Sequence, residues 1–457
     1  MKIIILGAGQ VGSTVAESLV SEANDITVVD TDGPRLRALQ DRLDLRTLVG
    51  SAAHPDTLRA AGVDDADLLI AVTQSDEVNL VACKIATQMF NLPTCIARIR
   101  STAYLGNEAV FAPECFAVDH AICPEQILTD YIVKLVEFPE ALQVLEFAEG
   151  RVSLVAVRAF KGGPLVGHEL KDIRKHIPTV DARIAAIFRG DSPIVPEGNT
   201  VVQAGDEVFC LAATKDIRKV MQELRRMDRP VKRVMIAGGG NIGERLARAL
   251  DKNYVVKIID RNKLRCEMLS GVLDNALVLN GDVTDETLLE SENVDEMDLF
   301  VSVTNDDENN IMASLLAKRM GARRVVALIN RRAYVDLLQD GRIDIAISPA
   351  QATIGSLLAH VRRGDVAKVH SLRRGAAEAL EAVVHGDAGS CRMVGRTIEA
   401  IELPKGTTIA ALVRGEEVIM AHHDTVVEAG DHAIVFVTEK KMVPKVEKLF
   451  QVSVGFL

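Results

Sequence analysis

The 457-residue sequence predicts an α/β protein built twice over: a doubly wound parallel sheet followed by a small α+β domain, then the same pair again. Three observations predict it. A glycine-rich octapeptide, "ILGAGQVG" at residues 5–12, returns as "IAGGGNIG" at 236–243. After each loop, short apolar runs alternate with helix-like stretches, the pattern of a parallel sheet covered on both faces. The correspondence continues far beyond the loops, which marks an internal duplication with small length differences.

In the first copy, Lys2–Leu6, Ile26–Asp30, Arg46–Val49, Leu68–Val72 and Thr94–Ile99 read as strands. Helical segments at Val11–Ala23, Pro34–Asp41, Asp56–Ala61 and Glu77–Met89 separate them. In the second copy, Ile259 and Asp260 answer Val29 and Asp30, Gly281 and Asp282 answer Gly50 and Ser51, and "LFVSVTNDDENN" (299–310) answers "LLIAVTQSDEVN" (68–79). After "CPEQILTDYIVKLVEF" (123–138) the pattern turns to short β-rich stretches such as "RVSLVAVRAF", joined by glycine and proline turns. That change predicts a smaller α+β domain. The second copy does the same after "SPAQATIGSLLAHV" (348–361), and "TVVQAGDEV" (200–208) is answered by "TVVEAGDHA" (425–433). Four units are expected, at 1–138, 139–228, 229–361 and 362–457, with the polar stretch "RRMDRPVKR" (225–233) joining the copies.

Composition narrows the class. Hydrophobic residues make up 48% and charged residues 26%, as in an ordinary soluble protein. No apolar run approaches the roughly 18–20 residues of a spanning helix, and "MKIIILGAG" reads as a strand entering a loop rather than a signal peptide. A cytoplasmic protein without direct membrane insertion is expected. A net charge of −11 argues against general affinity for nucleic acid. The seven cysteines are scattered without metal-like spacing and read as reduced thiols.

In a loop of this type, the first glycine (Gly7, Gly238) permits a tight turn out of the strand. The second (Gly9, Gly240) lets a phosphate approach the backbone, and the third (Gly12, Gly243) lets helix pack on sheet in a Rossmann-like domain. The phosphates then sit on N–H groups at a helix N-terminus, so Ala8, Gln10 and Val11, and Gly239, Asn241 and Ile242, belong to the candidate cradles. Asp30 and Asp260 end the second strands, where an acid bonds ribose hydroxyls and disfavours a 2′-phosphate. NAD-type ligands are therefore expected over NADP, but ATP and ADP share the same ribose. Ser51, Thr73 and Gln74, and Arg261, Asp282 and Thr304, complete the candidate sets, the two threonines being expected to face the cleft at the end of the fourth strand.

The copies differ in charge. Lys84, Arg98 and Arg100 of the first are answered by Leu315, Leu328 and Asn330. A terminal phosphate adds about 1.5–2 negative charges, which guanidinium groups suit. The first copy is thus suited to a nucleoside di- or triphosphate and the second to a dinucleotide, unless these are solvated surface cations. Asp76, Glu77, Asp306 and Asp307 read as helix-capping acids rather than catalytic pairs. Tyr131 and Lys134 fall one residue short of a YxxxK pair and read as packing. His422, His423 and Asp424 lack further ligands nearby, since neighbours in a strand point to opposite faces. Binding without turnover is the expectation, with an NAD-dependent oxidoreductase as the alternative.

The paired loop and acid, the "VTQSDEVN" and "VTNDDENN" segments, and an "AGD"-containing small domain after each sheet resemble the RCK (TrkA-N plus TrkA-C) regulatory module of potassium channels and transporters. Two modules in one chain of this length resemble the cytosolic regulatory subunits of bacterial Trk-type potassium uptake systems. The resemblance implies a homotetrameric gating ring at the inner face of the cell membrane, beneath a TrkH-like transporter subunit. It also implies NAD(H) and ATP or ADP as regulatory ligands, held by the two glycine loops with Asp30 and Asp260. The basic stretch "HVRRGDVAKVHSLRRG" (360–375) is read either as a solvated linker face or as a contact for that partner.

Overall fold

A computed structural model of the chain describes residues 1–20, 24–190, 192–194, 196–225, 230–331, 333–334, 342–361, 366–372 and 377–451. Arg362 and Arg363 of the basic stretch, and residues 226–229 of the joining segment, lie outside the described residues. The chain forms two compact units. The first comprises Met1–Thr129, Leu328–Leu337 and Ala346–Val361; the second comprises Asp130–Ala327, Leu338–Ile345 and Arg362–Leu457.

The first unit is organised on a six-stranded sheet of β1 (Lys2–Leu6), β2 (Asp25–Asp30), β3 (Arg46–Val49), β4 (Leu68–Ala71), β5 (Cys95–Arg98) and β6 (His120–Ile122). Their order is β3-β2-β1-β4-β5-β6, and the paired strands are parallel. Ile3, Ile4, Ile5 and Leu6 are all buried because helices cover both faces. The short edge strand β6 was not expected from the sequence. The chain leaves β1 toward β2 on one side and β4 lies on the other, so a crevice opens at the carboxyl ends of β1 and β4. The helix Pro349–Val361, which follows the second sheet in sequence, belongs to this unit and packs on the helix Gln10–Val20. His360 at its end stacks on His120 with ring centroids 3.5 Å apart.

The second unit holds two small antiparallel sheets and all of the other parallel one except Leu328 of its fifth strand and Ala346 and Ile347 of its sixth. The first small sheet contains β7 (Ala141–Phe147), β8 (Val152–Arg158), β9 (Ala182–Arg189), β10 (Ser192–Ile194) and β11 (Glu207–Ala213), in the order β10-β9-β11-β8-β7. The parallel sheet contains β12 (Arg233–Ala237), β13 (Val255–Asp260), β14 (Leu277–Asn280), β15 (Leu299–Ser302), β16 (Arg324–Leu328) and β17 (Ile345–Ile347), ordered β14-β13-β12-β15-β16-β17. The second small sheet contains β18 (Val366–Leu372), β19 (Ala377–Val383), β20 (Thr407–Arg414), β21 (Glu417–Met420) and β22 (His432–Val437), ordered β18-β19-β22-β20-β21.

Strand periodicity sorts the small-domain core into two layers. Val155 and Val157 of β8 pack with the helix residues Ile217, Val220 and Leu224. Leu154 and Ala156 point the other way, into a core shared by Phe147 and Phe209 of the first small sheet and Met420 and Phe436 of the second. The two small domains therefore bury one face of each sheet against the other. Both "AGD" turns are pinned alike. Asp206 receives Nε and Nη2 of Arg189, each at 2.9 Å, while Asp431 receives Nε and Nη2 of Arg414 at 2.8 and 2.9 Å. Each carboxylate also accepts a turn N–H, from Gln203 or Glu428, at 2.8 Å. These bidentate pairs explain the repeated motif.

Elsewhere, Tyr131 donates its hydroxyl to the Leu142 carbonyl at 3.3 Å, and the Lys134 ammonium pairs with Glu146 at 2.9 Å, so both serve packing. His422 and His423 sit at a turn, not in the strand expected for them. The described residues include no group of three His, Cys, Asp or Glu side chains able to hold a metal, and all seven cysteines are free. Among the described residues, no helix is long and apolar enough to cross a membrane.

Candidate nucleotide-binding sites

The first site is built where β1 runs into the helix Gln10–Val20. Gly7 has φ +107°, and a Cβ there would stand 3.0 Å from the Val72 carbonyl oxygen at the end of β4. A Cβ on Gly12 would lie 1.9 Å from the Gly7 carbonyl oxygen, so no other residue lets the helix begin so close to the strand. Gly9 differs: nothing lies within 4 Å of its added Cβ. The protein itself requires the first and third glycines, whereas the second keeps a space open. The other loop repeats this, with Gly238 at φ +111°, Gly243 blocked at 1.8 Å by the Gly238 carbonyl oxygen, and Gly240 open.

The strand-end acids grip the loops. Asp30 accepts the Ala8 N–H at 2.6 Å on one oxygen and the Asp32 N–H at 2.8 Å on the other. Asp260 accepts from Gly239 at 2.7 Å and from Asn262 at 2.8 Å. An ionised carboxylate has about four lone-pair sites, so each acid retains acceptor capacity for the two hydroxyls of a ribose.

At the end of the fourth strand, Thr73 is held by a residue that sequence reasoning passed over. Asn79, fully buried, accepts the Thr73 N–H at 3.0 Å and its hydroxyl at 2.7 Å, and donates to the Arg98 carbonyl at 2.9 Å. Asn310, equally buried, accepts the Thr304 N–H and hydroxyl at 2.9 and 2.7 Å. The threonine hydroxyls expected in the cleft are thus turned toward these amides. Both asparagines close the quoted octapeptides, and their shared position in the repeat was the available signal.

Of the acids expected to cap the following helices, Asp306 is a cap, whereas in the first copy the cap is a serine and the acids bond elsewhere. Ser75 caps the first by accepting from Val78 N–H at 3.2 Å, and Asp306 caps the second by accepting from Asn309 N–H at 2.8 Å. Asp76 fastens the segment after β5, accepting the N–H groups of Arg100 and Ser101 at 2.9 and 2.8 Å. Glu77 accepts the Ser75 hydroxyl at 2.7 Å, which holds its carboxyl below the ordinary range.

The basic trio is not gathered at one point. Arg100 Nη2 donates to the Gln74 carbonyl, at the edge of the crevice. Arg98 pairs with Glu125 at 3.1 Å and is mostly buried. Lys84 lies eight residues into its helix and donates to the carbonyls of Pro113 and Glu114, each at 3.1 Å. After the third strand, the Ser51 carbonyl accepts the His54 N–H at 3.1 Å. Asp282 in the other copy accepts the hydroxyl and N–H of Thr284 at 2.7 and 2.8 Å, bonds that lower its carboxyl with help from the charge of exposed Arg261.

The loops also differ behind the backbone. In the first, the Ser13 hydroxyl donates to the Ala8 carbonyl at 3.0 Å. In the second, Glu244 replaces that serine and the corresponding Gly239 carbonyl accepts Nε of Arg265 at 2.5 Å. Burial pushes the Glu244 carboxyl up, but hydrogen bonds from Arg248 and Arg265 outweigh this and leave it below the ordinary range.

The chain matches the TrkA-N domain family at residues 3–124 and 234–349, and the TrkA-C domain family at 154–225 and 388–451. It is 60% identical over 456 residues to the Trk system potassium uptake protein TrkA of Halomonas elongata, the match covering 100% of both chains. The protein of the same name from Vibrio alginolyticus is 57% identical over 458 residues, again covering 100% of both. The chain belongs to the TrkA family of Trk system potassium uptake proteins. Among solved structures, the crystal structure of the GsuK RCK domain is similar with a TM-score of 0.61 over 98% of this chain and 94% of that one, at 19% identity. The GsuK channel bound to NAD also gives 0.61, over 98% of this chain and 78% of that one, at 19% identity. At that identity the shared property is the fold. Membership of the TrkA family makes the chain a regulatory component of potassium transport and not an enzyme.

Proposed function

We propose that this chain is the nucleotide-binding regulatory subunit of a potassium uptake system, which gates a TrkH-like membrane subunit through ligand-dependent changes of a homotetrameric ring. NAD(H) and ATP or ADP are its ligands, and it works in the cytoplasm at the inner face of the membrane through that partner. The observation that carries the reading is the same constellation in both copies: an open second glycine beside a strand-end acid that grips the loop at 2.6 or 2.7 Å with acceptor capacity to spare. The GsuK structures described as bound to NAD and to ADP support nucleotides as the ligand class.

Arg100, beside Gln74, is the cation that favours a nucleoside di- or triphosphate in the first copy, and the second copy takes a dinucleotide. Moving a pore from about 1:99 to 99:1 open needs roughly 5.5 kcal/mol of differential binding. Eight sites in a tetramer share that at under ~1 kcal/mol each, near the low end of ordinary coupling energies. Calorimetric titration of wild type, Asp30→Ala and Asp260→Ala with ATP, ADP and NADH tests the assignment. Asp30→Ala should remove ATP binding and Asp260→Ala mainly NADH binding. Titrations that neither substitution alters would make the loops purely structural and end this reading.

A further inference from the structure

Both copies carry an arginine at the same place in the helix after the second strand, Arg35 in the helix Gly33–Gln40 and Arg265 in the helix Lys263–Ser270. The acids around them have changed places. In the first copy the cap of that helix is Asp32, and Arg35 stays on it at 3.1 Å. In the second the cap is the neutral Asn262, and the acid is Glu244 in the first turn of the helix Asn241–Leu250. Glu244 draws Arg265 across at 2.6 Å and is held from its other oxygen by Arg248 at 3.0 and 2.9 Å. Arg265 thereby reaches the loop, bonding the Gly239 carbonyl at 2.5 Å with Nη2 3.4 Å from the Gly240 carbonyl.

We infer that Arg265 is a positioning residue of the second nucleotide site, which orients and polarises the N–H groups of Gly240 and Asn241 toward the pyrophosphate of a dinucleotide. In a trans peptide the C=O and N–H point in opposite directions. The carbonyl of Gly239 shares its peptide with the Gly240 N–H, and the carbonyl of Gly240 shares its peptide with the Asn241 N–H. A guanidinium behind the carbonyls therefore fixes both donors and makes them stronger, as charge-assisted and cooperative hydrogen bonds do. In the first loop a neutral hydroxyl, that of Ser13, serves the equivalent carbonyl, while Arg35 stays on Asp32. This inference rests on the second loop being a nucleotide site.

The test is NADH titration of the full-length chain, reading the binding that Asp260→Ala removes. Arg265→Met should weaken that binding about tenfold, the scale on which supporting contacts behind a binding group act, and leave ATP binding at the first loop unchanged. Arg35→Met should alter neither. Arg265→Met combined with Glu244→Ser restores the serine-to-carbonyl bond of the first copy and removes an acid left with Arg248 alone as its partner, so it should recover several-fold of the lost affinity. Asp260-dependent binding that Arg265→Met leaves intact overturns this inference alone, as does a double variant that folds but recovers nothing. Wild type without any Asp260-dependent NADH binding overturns both this inference and the nucleotide reading beneath it.

Discussion

The two glycine loops have nearly the same backbone and different support behind it. At Gly12 and Gly243 the distances from an added Cβ to the facing carbonyl oxygen are 1.9 and 1.8 Å, and the first glycines share a positive φ of +107° and +111°. Behind that backbone, one loop is backed by a serine hydroxyl and the other by an arginine held between its carbonyls and a glutamate. Backbone geometry admits a single residue type at these positions, whereas satisfying a carbonyl admits many. A duplicated site is therefore free to diverge in charge and ligand preference without changing shape.

The largest effects should come from breaking the shared part. Gly12→Ala places a methyl group against backbone that cannot move aside, and a cost of about 3 kcal/mol or more is expected. Nucleotide binding at the first loop should be lost while the second is untouched; Gly243→Ala should do the reverse. Gly9→Ala and Gly240→Ala meet nothing within 4 Å. They should leave denaturant unfolding unchanged within about 0.5 kcal/mol yet lose affinity in titration, because the methyl group occupies ligand space. Equal destabilisation by all four would show that the second glycines also serve the fold.

This contrast marks what could be read from the sequence. The loops, the acids and the alternating strands were legible because each depends on local chemistry: a positive φ, a strand-end carboxylate, a run such as Ile3 to Leu6. The three-residue strand β6 was missed because so short an edge strand, His120–Ile122, carries little hydrophobic pattern. The "AGD" repeat was visible as a repeat, but the partners of Asp206 and Asp431 lie 17 residues away on neighbouring strands. The Arg265–Glu244 pair spans 21 residues and two helices, and no spacing rule announces it. β8 was legible as part of a β-rich stretch, but not that one of its faces would meet the other small sheet, whose strands lie more than 200 residues further along the chain.

A smaller effect should separate the small domains. His370 of β18 stands where the first copy has Leu145 of β7, and its ring meets Phe147 edge-on at 5.0 Å with Nε2 sealed from solvent. Burial, with the nearby charge of Lys368, pushes its pKa down to about 4, against a weaker opposing pull from the backbone at Glu146 and from Glu381. The ordinary value is about 6.5, so between these limits the unfolded chain binds more protons than the folded one. Stability must fall as pH drops from about 6.5 toward about 4. His370→Leu copies the first small domain and should remove that part of the loss. The variant should match wild type near pH 7.5 and exceed it by about 1 kcal/mol at pH 5 in denaturant titrations, a value reduced for partial exposure. A constant difference across that range would mean that the ring takes up its proton as readily in the folded state as in the unfolded one and that the comparison with Leu145 is one of size alone.

The smallest expected effect bears on charge in the first copy. Arg100 touches the Gln74 carbonyl at the crevice, and its side chain is 33% exposed, so its attraction for a terminal phosphate is that of a partly solvated cation. Such interactions are worth about 1 kcal/mol, and Arg100→Met should weaken ATP about fivefold in calorimetry. Lys84 stands about 12 Å along its helix from Asp76 at 1.5 Å per residue, with its ammonium on the carbonyls of Pro113 and Glu114. Lys84→Met should change ATP affinity less than twofold. Equal losses from the two substitutions would mean that ligand binding releases Lys84 from that segment and draws it to the phosphates. The difference between the copies would then lie in a mobile cation rather than in the fixed one beside Gln74.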